Sequence, residues 1–532
     1  MVKNDFESLD LSNGENINIY NAGKFNFTKH SFACFLCILI SFGGFIFGWD
    51  TGTISGFVNM PSYKELLIDS TGGYSSTKTG LIVSSLNIGC AIGGILLSWM
   101  SDYIGIRGGL GLTALPYLYG VASQLTLHRE TKKSWITIVV GRILSGIGIG
   151  GISCLAPMLI AEISPSMIRG RMVSCYQLMI TLGILSGYWT NYNTVKMFED
   201  CKQWETQISL CILWGLLFII SNFIVPESPR YFVKQKKFIE ARKAIAYVNR
   251  THVNSELTES ELGDILSAVE KETNERKGKW SELFTGRPHL LVRLLLGIAL
   301  QSFQQLTGNN FFFYYGTFIF KSVGFENSFL TSIIIGIVNF GSTIVAICIA
   351  DMFGRRTTLI SGAIMMLVCL LCFSIIGTSY LYPQGYNMPP DQTYGYIMIV
   401  LTCVFIFSFA TTWAPCVFVV VSEIYPLRLR SKGMAIATSA NWIWGFIISM
   451  STPAIIDKFR FGCGYIFFGA CFFAAIVVFL MLPETKGFNL DNIDDLYSHY
   501  EPFMARKARS DYERRKLIES GQEVLQNLNI VN

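Results

Sequence analysis

An aspartate lies inside an apolar stretch of the chain that is long enough to cross a lipid bilayer. The stretch FGGFIFGWDTGTISGFV runs from Phe42 to Val58 and carries Asp50 near its middle. An ionised carboxylate costs about 3 kcal/mol at that depth, so we expect it to be protonated, solvated or paired. Arg142, which also lies within an apolar run, is an available partner, and glycines at 146, 148, 150 and 151 would allow close helix approach. Such a pair could bind and release a proton, or it could simply hold two helices together.

A dense set of amide side chains occupies two later apolar runs. The set is Gln301, Gln304, Gln305, Asn309, Asn310 and Asn339. Amides donate and accept hydrogen bonds without net charge, and they are costly in lipid unless they face a polar cavity or each other. A single one could be an interhelical hydrogen bond, but the clustering favours a binding site for a neutral polar ligand. Gly308 and the following two asparagines predict a break in the helix, where backbone groups could line a cavity.

The composition places these side chains in a membrane protein. Of 532 residues, 51% are hydrophobic and 15% are charged, and the mean hydropathy is +0.42. This balance leaves too little polar surface for a soluble protein. The 14 cysteines lie mostly inside apolar runs and the five histidines lie outside them, so we expect no metal site or histidine proton relay at membrane depth. The net charge of +5 concentrates in loops and does not indicate nucleic-acid binding.

Twelve apolar runs supply the elements that must position the polar residues. Six precede a stretch rich in lysine and glutamate, and six follow it. The runs lie near 31–57, 81–100, 109–127, 135–160, 173–191, 207–225, 292–320, 329–350, 357–377, 395–421, 433–452 and 463–482. Each is about as long as a membrane-spanning helix, so the sequence predicts an all-α membrane protein with 12 transmembrane helices.

Short charged signatures recur in the same order in both halves of the chain. SDYIGIR matches ADMFGRR, AEISPSMIRGR matches SEIYPLRLRSKG, and PESPR matches PETKG. Loop charges are not forced by hydropathy, so the repetition indicates two corresponding halves. All six signatures contain arginine or lysine, and the positive-inside rule therefore places them, the middle loop and both termini in the cytoplasm.

These features predict the organisation of the chain. We expect a cytoplasmic N-terminal tail at 1–30, a first six-helix unit at 31–226, a cytoplasmic linker with short helices at 227–291, a second six-helix unit at 292–482 and a cytoplasmic C-terminal tail at 483–532.

Several longer motifs carry a family resemblance over residues 40 to 490. They are WDTGTISGF, PESPRYFV, QQLTGNNFFFYYGT, FATTWAPC, NWIWGF and PETKG, in that order. With them the chain resembles the sugar porters of the major facilitator superfamily, and most closely the fungal hexose transporters. The resemblance implies two six-helix bundles related by pseudo-twofold symmetry, with a sugar site between them and alternating access by rocking.

The resemblance assigns roles to individual residues. It implies sugar contacts at Gln177, Gln304, Gln305, Asn310 and Asn339, and aromatic walls at Phe409, Phe418 and Trp442. Arg142 matches the arginine that proton-coupled sugar porters set against the carboxylate of their first helix. Fungal facilitators similar to this chain keep the aspartate while moving sugar down its gradient, so Asp50 leaves proton coupling and a structural pair both open.

Charges in the six signatures form a second predicted site, a cytoplasmic gate. Its members are Asp102, Arg107, Glu162, Arg169, Glu227, Arg230, Asp351, Arg355, Arg356, Glu423, Arg428, Arg430 and Glu484. Single surface pairs contribute about 0 to 1 kcal/mol, but a network across two bundles could bias a two-state equilibrium. Solvated charges that only fix the topology are the alternative. Ile106 stands where the signature usually has its first arginine, which weakens the case for the first loop.

The sequence thus leads us to expect a multi-pass protein of the cell membrane that transports hexoses, with glucose as the leading substrate and facilitated diffusion as the mechanism. Fructose, mannose and galactose are further candidate substrates, and a monomer in the lipid bilayer is expected to suffice. No cofactor or enzyme activity is expected. Two alternatives remain, namely proton-coupled hexose symport through Asp50 and Arg142, and a hexose sensor without flux. The tail after Lys486 is short for a signalling domain.

Overall fold

The computed structural model shows an α-helical protein. It describes residues 27–57, 59–64, 75–126, 134–164, 169–274, 279–322, 328–349, 352–382, 389–426, 429–486, 492–498 and part of 500–515. These residues contain no β-strand. The predicted N-terminal tail lies almost entirely outside the described residues.

The first half of the chain forms six long helices and one short one. They are α1 (Phe27–Phe57), α2 (Pro61–Lys64), α3 (Ser76–Ile104), α4 (Ile106–Thr126), α5 (Ser134–Ile163), α6 (Arg169–Met197) and α7 (Lys202–Ile224). Four helices follow in the linker, namely α8 (Pro229–Lys234), α9 (Phe238–Asn249), α10 (Glu256–Asn274) and α11 (Glu282–Thr285).

The second half repeats the arrangement with two of its spans divided. Its helices are α12 (Leu290–Leu306), α13 (Asn309–Ser322), α14 (Ser328–Ile349), α15 (Arg355–Ile375), α16 (Gln392–Thr411), α17 (Trp413–Glu423), α18 (Arg430–Phe459), α19 (Cys463–Met481) and the tail helix α20 (Asn492–Ser498). A π-helical turn at Ile376–Tyr380 extends α15.

The helices give twelve spans in two pseudo-symmetric bundles of six. Nine stretches of the described residues are long and apolar enough to cross a membrane. One of them, Lys432–Met481, contains both α18 and α19. The less hydrophobic α4 and α6 complete the count, because they pack within the first bundle against α5 and α1.

The seventh and tenth spans are broken helices. The seventh breaks between α12 and α13 at Gly308, whose φ of +90° suits glycine, and an added Cβ would lie 2.7 Å from the Phe467 ring. This confirms the break predicted from the sequence. The tenth breaks between α16 and α17 at Thr412, with φ −122° and ψ −76°, which the sequence did not predict.

Backbone-to-backbone contact through glycine holds the first bundle together. Gly44, Gly48 and Gly52 repeat every four residues along one face of α1, which packs on α6. A Cβ added to Gly48 would lie 1.9 Å from the carbonyl oxygen of Ile180. Helices α3 and α5 meet in the same way, since a Cβ on Gly146 would lie 2.4 Å from the oxygen of Leu86. Small residues thus let these helices approach as closely as their backbones permit.

The two ends of the bundles differ. One end carries the signature residues Arg107, Glu227, Arg355 and Glu484, together with the linker and the tail, and we call it the charged end.

The two bundles contact each other through α3 with α18, α6 with α14 and α1 with α13. The hydrogen bond from Asn87 Nδ2 to Ser449 Oγ (3.4 Å) lies in the halves of α3 and α18 away from the charged end.

At the charged end, in contrast, the start of α6 lies open. Arg169 and Arg171 are exposed, and a Cβ on Gly170 would meet nothing within 4 Å. The bundles are therefore joined at the opposite end, whereas the start of α6 at the charged end is exposed.

The C-terminal tail packs against the charged end of the second bundle. Arg293 of α12 is fully buried, forms an ion pair with Asp494 and lies 4.1 Å from the centre of the Tyr497 ring. The hydroxyl of Tyr500 donates to the carbonyl oxygen of Met481 at 2.6 Å, and burial raises the pKa of Tyr500 to about 12. We call Asn492–Ser498 together with Tyr500 the strap.

Candidate functional site

Amides of the seventh span form a hydrogen-bonded network with an asparagine of α18. Gln305 Nε2 donates to Oδ1 of Asn441 at 2.8 Å, and Asn310 Nδ2 donates to Oε1 of Gln305 at 2.6 Å. The Nδ2 group of Asn441 reaches Oε1 of Gln301 at 2.8 Å and Oε1 of Gln304 at 2.7 Å. We call these five side chains the amide network. It places donors and acceptors side by side without a charged group.

The two helix breaks position this network. Asn310 lies just after the break at Gly308, which brings its side chain back towards Gln305 of the preceding helix. Nε2 of Gln304 donates to the carbonyl oxygens of Trp413 (3.0 Å) and Ala414 (3.2 Å), in the first turn of α17 after the second break. The network therefore ties the seventh, tenth and eleventh spans together.

The other predicted polar contacts lie on neighbouring helices. Asn339 of α14 is 4% exposed, and Gln177 of α6 is half-buried. Neither side chain has a hydrogen-bond partner in the described part of the chain. Helices α6 and α14 pack against each other, so these two amides belong to helices that meet between the bundles.

The predicted aromatic residues differ in their surroundings. Phe409 is buried, at 6% exposure, near the end of α16. Trp442 follows Asn441 of the network and packs edge-on against Phe47 of α1, with ring centres 5.8 Å apart. Phe418 is 43% exposed on α17. Trp442 thus extends the network to the first bundle, while Phe418 is the most open of the three.

Asp50 and Arg142 form a two-point ion pair between α1 and α5. Nη2 of Arg142 lies 3.0 Å from Oδ2 of Asp50, and Nη1 lies 3.3 Å from Oδ1. Nε of the same arginine donates to the carbonyl oxygen of Ile82 at 2.7 Å. The arginine side chain is 2% exposed and the aspartate 13%. The carboxylate is therefore partly exposed, whereas the guanidinium is almost fully buried.

In the first bundle, signature residues at the charged end join helix termini. Glu227 accepts from the backbone N–H groups of Ile106 (2.9 Å) and Arg107 (3.1 Å), at the start of α4. The side chain of Arg107 donates to the carbonyl oxygens of Asn222 (3.0 Å) and Phe223 (3.2 Å), at the end of α7. These contacts satisfy orphan backbone groups at both termini.

The second bundle repeats this arrangement. Glu484 accepts from the N–H groups of Arg355 (2.8 Å) and Arg356 (3.1 Å), and Arg356 donates to the carbonyl oxygen of Phe479 at 2.7 Å. Arg355 also pairs with Glu423 at 3.3 Å. The pseudo-symmetry of the two halves thus extends to individual hydrogen bonds.

The remaining gate candidates are placed as follows. Glu162 accepts a hydrogen bond from Ser228 and lies near Arg230. Asp102 and Arg169 are exposed, and Arg430 is half-buried at the start of α18. Asp351 and Arg428 lie outside the described residues. The ion pairs Arg142–Asp50 and Arg355–Glu423 each join residues of one bundle, so a network across the two bundles remains a prediction for another conformation.

Two features of the site were missed in the sequence. Asn441 is central to the amide network, but it was treated only as part of the NWIWGF motif. The glycine repeat of α1 was also overlooked, although its four-residue spacing is visible in the stretch around Asp50. Asn441 is an amide in an apolar run, so the signal that marked the amides of the seventh span could have found it, and the four-residue spacing could have found the glycine repeat.

Comparison with known proteins now identifies the family. The family model described as "Sugar (and other) transporter" matches residues 36–497. The chain belongs to this family. Hexose transporter HXT10 of Saccharomyces cerevisiae is 46% identical over 466 residues, which cover 87% of this chain and 84% of the relative. The low-affinity glucose transporter of Kluyveromyces lactis is 45% identical over 476 residues, covering 88% and 83%.

The fold of the sugar transporter has a counterpart among solved structures. XylE from E. coli, the proton:xylose symporter solved with bound 6-bromo-6-deoxy-D-glucose, superposes with a TM-score of 0.72 at 27% identity. The match covers 89% of this chain and all of that one. The proteins that this chain is similar to are named as transporters. The chain is a multi-pass membrane protein that transports sugar and is not an enzyme.

Proposed function

We propose that this sugar transporter moves hexoses, glucose foremost, across the plasma membrane by facilitated diffusion. The amide network is the observation that carries the proposal, because a hexose presents several hydroxyls that each donate and accept. A neutral network can exchange its own hydrogen bonds for those of the sugar without burying a charge. The curated relatives named above are a hexose transporter and a glucose transporter, which supports the same substrate class.

Alternating access is the proposed mechanism. The bundles are hydrogen-bonded to each other at the end opposite the charged end, and the start of α6 at the charged end is exposed. If the charged end and both termini are cytoplasmic, this is an inward-facing state. Rocking would then part Asn87 from Ser449 and bring the signature residues of the two bundles together. A single chain contains both bundles, so we propose that the monomer is the functional unit.

Proton-coupled symport is the second candidate, favoured by the Asp50–Arg142 pair. Its carboxylate is partly accessible, as a group that exchanges protons requires. XylE is named a proton:xylose symporter. Facilitated diffusion is preferred for this chain because the fungal facilitators that it resembles keep this aspartate, and a paired carboxylate can hold α1 against α5 without exchanging its proton.

Uptake of labelled glucose in a host without its own hexose carriers tests both candidates. We expect uptake that stops at equal concentrations and is unaffected by a protonophore. Gln305→Ala should abolish most of it, whereas Gln392→Ala, which removes an exposed amide at the start of α16, should not. Accumulation above the external concentration that collapses with the protonophore would establish symport, and no uptake of any hexose would overturn the proposal.

A further inference from the structure

The amide network belongs entirely to the second bundle. Its members lie on α12, α13 and α18. Rocking of two bundles around a ligand requires that the ligand also interact with the first bundle, since a ligand shifts a conformational equilibrium only through differential contacts. Gln177 is the one sugar contact in the first bundle that the family resemblance implies.

A second amide of the first bundle lies beside the network. Asn87 of α3 is 2% exposed. A Cβ built on Gly445 would lie 3.6 Å from Nδ2 of Asn87 and 3.6 Å from Oε1 of Gln305. Both amides therefore border the position that a side chain of residue 445 would occupy, and the glycine leaves that position open. Oε1 of Gln305 is also the atom that accepts from Asn310.

The orientation of the Asn87 amide follows from its partner. The hydroxyl of Ser449 donates its proton to the carbonyl oxygen of Gly445 at 2.7 Å, so towards Asn87 it can only accept. Nδ2 of Asn87 donates to that hydroxyl at 3.4 Å, a long hydrogen bond. The Oδ1 atom consequently points elsewhere, and within the described ranges no donor reaches it.

We infer that Asn87 binds a sugar hydroxyl and is the contact through which bound sugar acts on the junction between α3 and α18. Its Oδ1 accepts from the hydroxyl, and its weakly held Nδ2 can leave Ser449 as the bundles part. This inference rests on the proposed hexose transport and adds a residue of the first bundle to that site. The neighbouring Tyr315 hydroxyl, which donates to the carbonyl oxygen of Ser449 at 2.8 Å, stays within the second bundle and cannot supply this link.

Hydroxyl deletion in the sugar tests the inference. The KM for glucose and for each monodeoxyglucose is measured by equilibrium exchange in cells that express wild type, Asn87→Ala or Asn87→Ser, with surface protein quantified for each. We expect Asn87→Ala to raise the KM for glucose about 3- to 10-fold, the loss of one hydrogen bond. For one deoxy sugar, which lacks the contacted hydroxyl, the KM should be the same in variant and wild type. The KM of Asn87→Ser for glucose should lie between those of wild type and Asn87→Ala. A measurable KM for this variant also shows that a substitution at this position does not prevent folding.

Ser449→Ala is the matched control. It removes the hydroxyl that Asn87 contacts across the bundles but not the proposed sugar contact, so it should change exchange with all analogues by the same factor. If Asn87→Ala and Asn87→Ser change the KM by the same factor for every analogue, or do not change it, the inference is overturned. The proposed hexose transport would be unaffected by that result. Absence of exchange in the wild type would instead overturn the proposed function.

Discussion

Neutralising one member of the Asp50–Arg142 pair should destabilise the protein more than neutralising both. Asp50→Asn leaves the guanidinium of Arg142 without its counter-charge at 2% exposure. The asparagine can still accept from one of the two nitrogens that now reach the carboxylate, at 3.0 and 3.3 Å. Arg142→Gln leaves the carboxylate without a cation and the carbonyl oxygen of Ile82 without its donor.

The magnitude follows from the burial of the pair. Breaking a buried ion pair by removing one partner typically costs about 3 to 5 kcal/mol, mostly the cost of the charge left behind. Asp50→Asn can keep one hydrogen bond to Arg142, so its cost should lie near the lower end of this range, at about 3 kcal/mol. The double variant Asp50→Asn, Arg142→Gln buries no charge, so it should cost no more than either single change. The coupling energy should then be at least about 3 kcal/mol.

Thermal unfolding of the purified protein in detergent measures this effect. Each single variant should melt roughly 3 °C or more below the wild type, and the double variant should recover part of the loss. Asp102→Asn is the matched control, because Asp102 is an exposed carboxylate on α3, and it should shift the melting temperature little. If the losses of the two single variants simply add in the double variant, the pair is not coupled and the reasoning fails.

Three further predictions concern packing, the strap and the charged end. Gly48→Ala should prevent folding, because its Cβ would lie 1.9 Å from a backbone oxygen of α6. Gly341→Ala should be tolerated, because its Cβ would have no atom within 4 Å. The yield of monodisperse protein after purification measures the difference between the two variants. Asp494→Asn should lower the melting temperature, because Arg293 is fully buried against it, and an unchanged value would show that the strap contributes nothing. Arg355→Ala should lower the maximal uptake rate far more than it changes the KM for glucose, and the reverse result would count against a gating role.

The sequence was sufficient to predict the twelve spans, the two halves and the break at Gly308. These features depend on hydropathy, repetition and backbone preference, which are local properties of the chain. The break at Thr412 was not predicted, although Pro415 lies three residues later and a proline inside a helix removes the hydrogen bond to the carbonyl oxygen four residues before it, here that of Thr411. In the structure, the Thr412 hydroxyl bonds back to the carbonyl oxygen of Ser408 at 2.6 Å.

The polar site was predictable in type but not in connectivity. The amides of the seventh span stand out because amides are rare in apolar runs. Which amide meets which depends on the packing of α12 against α18 and α17, far apart in sequence. Likewise the gate residues were recognisable as repeated charges, but their contacts with helix termini, such as Glu227 with the start of α4, required coordinates.

The glycine contacts of the first bundle have a consequence for how the molecule can move. Where backbones touch, as at Gly48 and Ile180, there are no side chains between the helices that could adopt new rotamers and absorb a displacement. The first bundle should therefore turn as one rigid body. Two spin labels at the exposed positions Ile95 and Trp189 should keep their separation when glucose is added, while the distance from Ile95 to a label at Phe479, in the second bundle, should change.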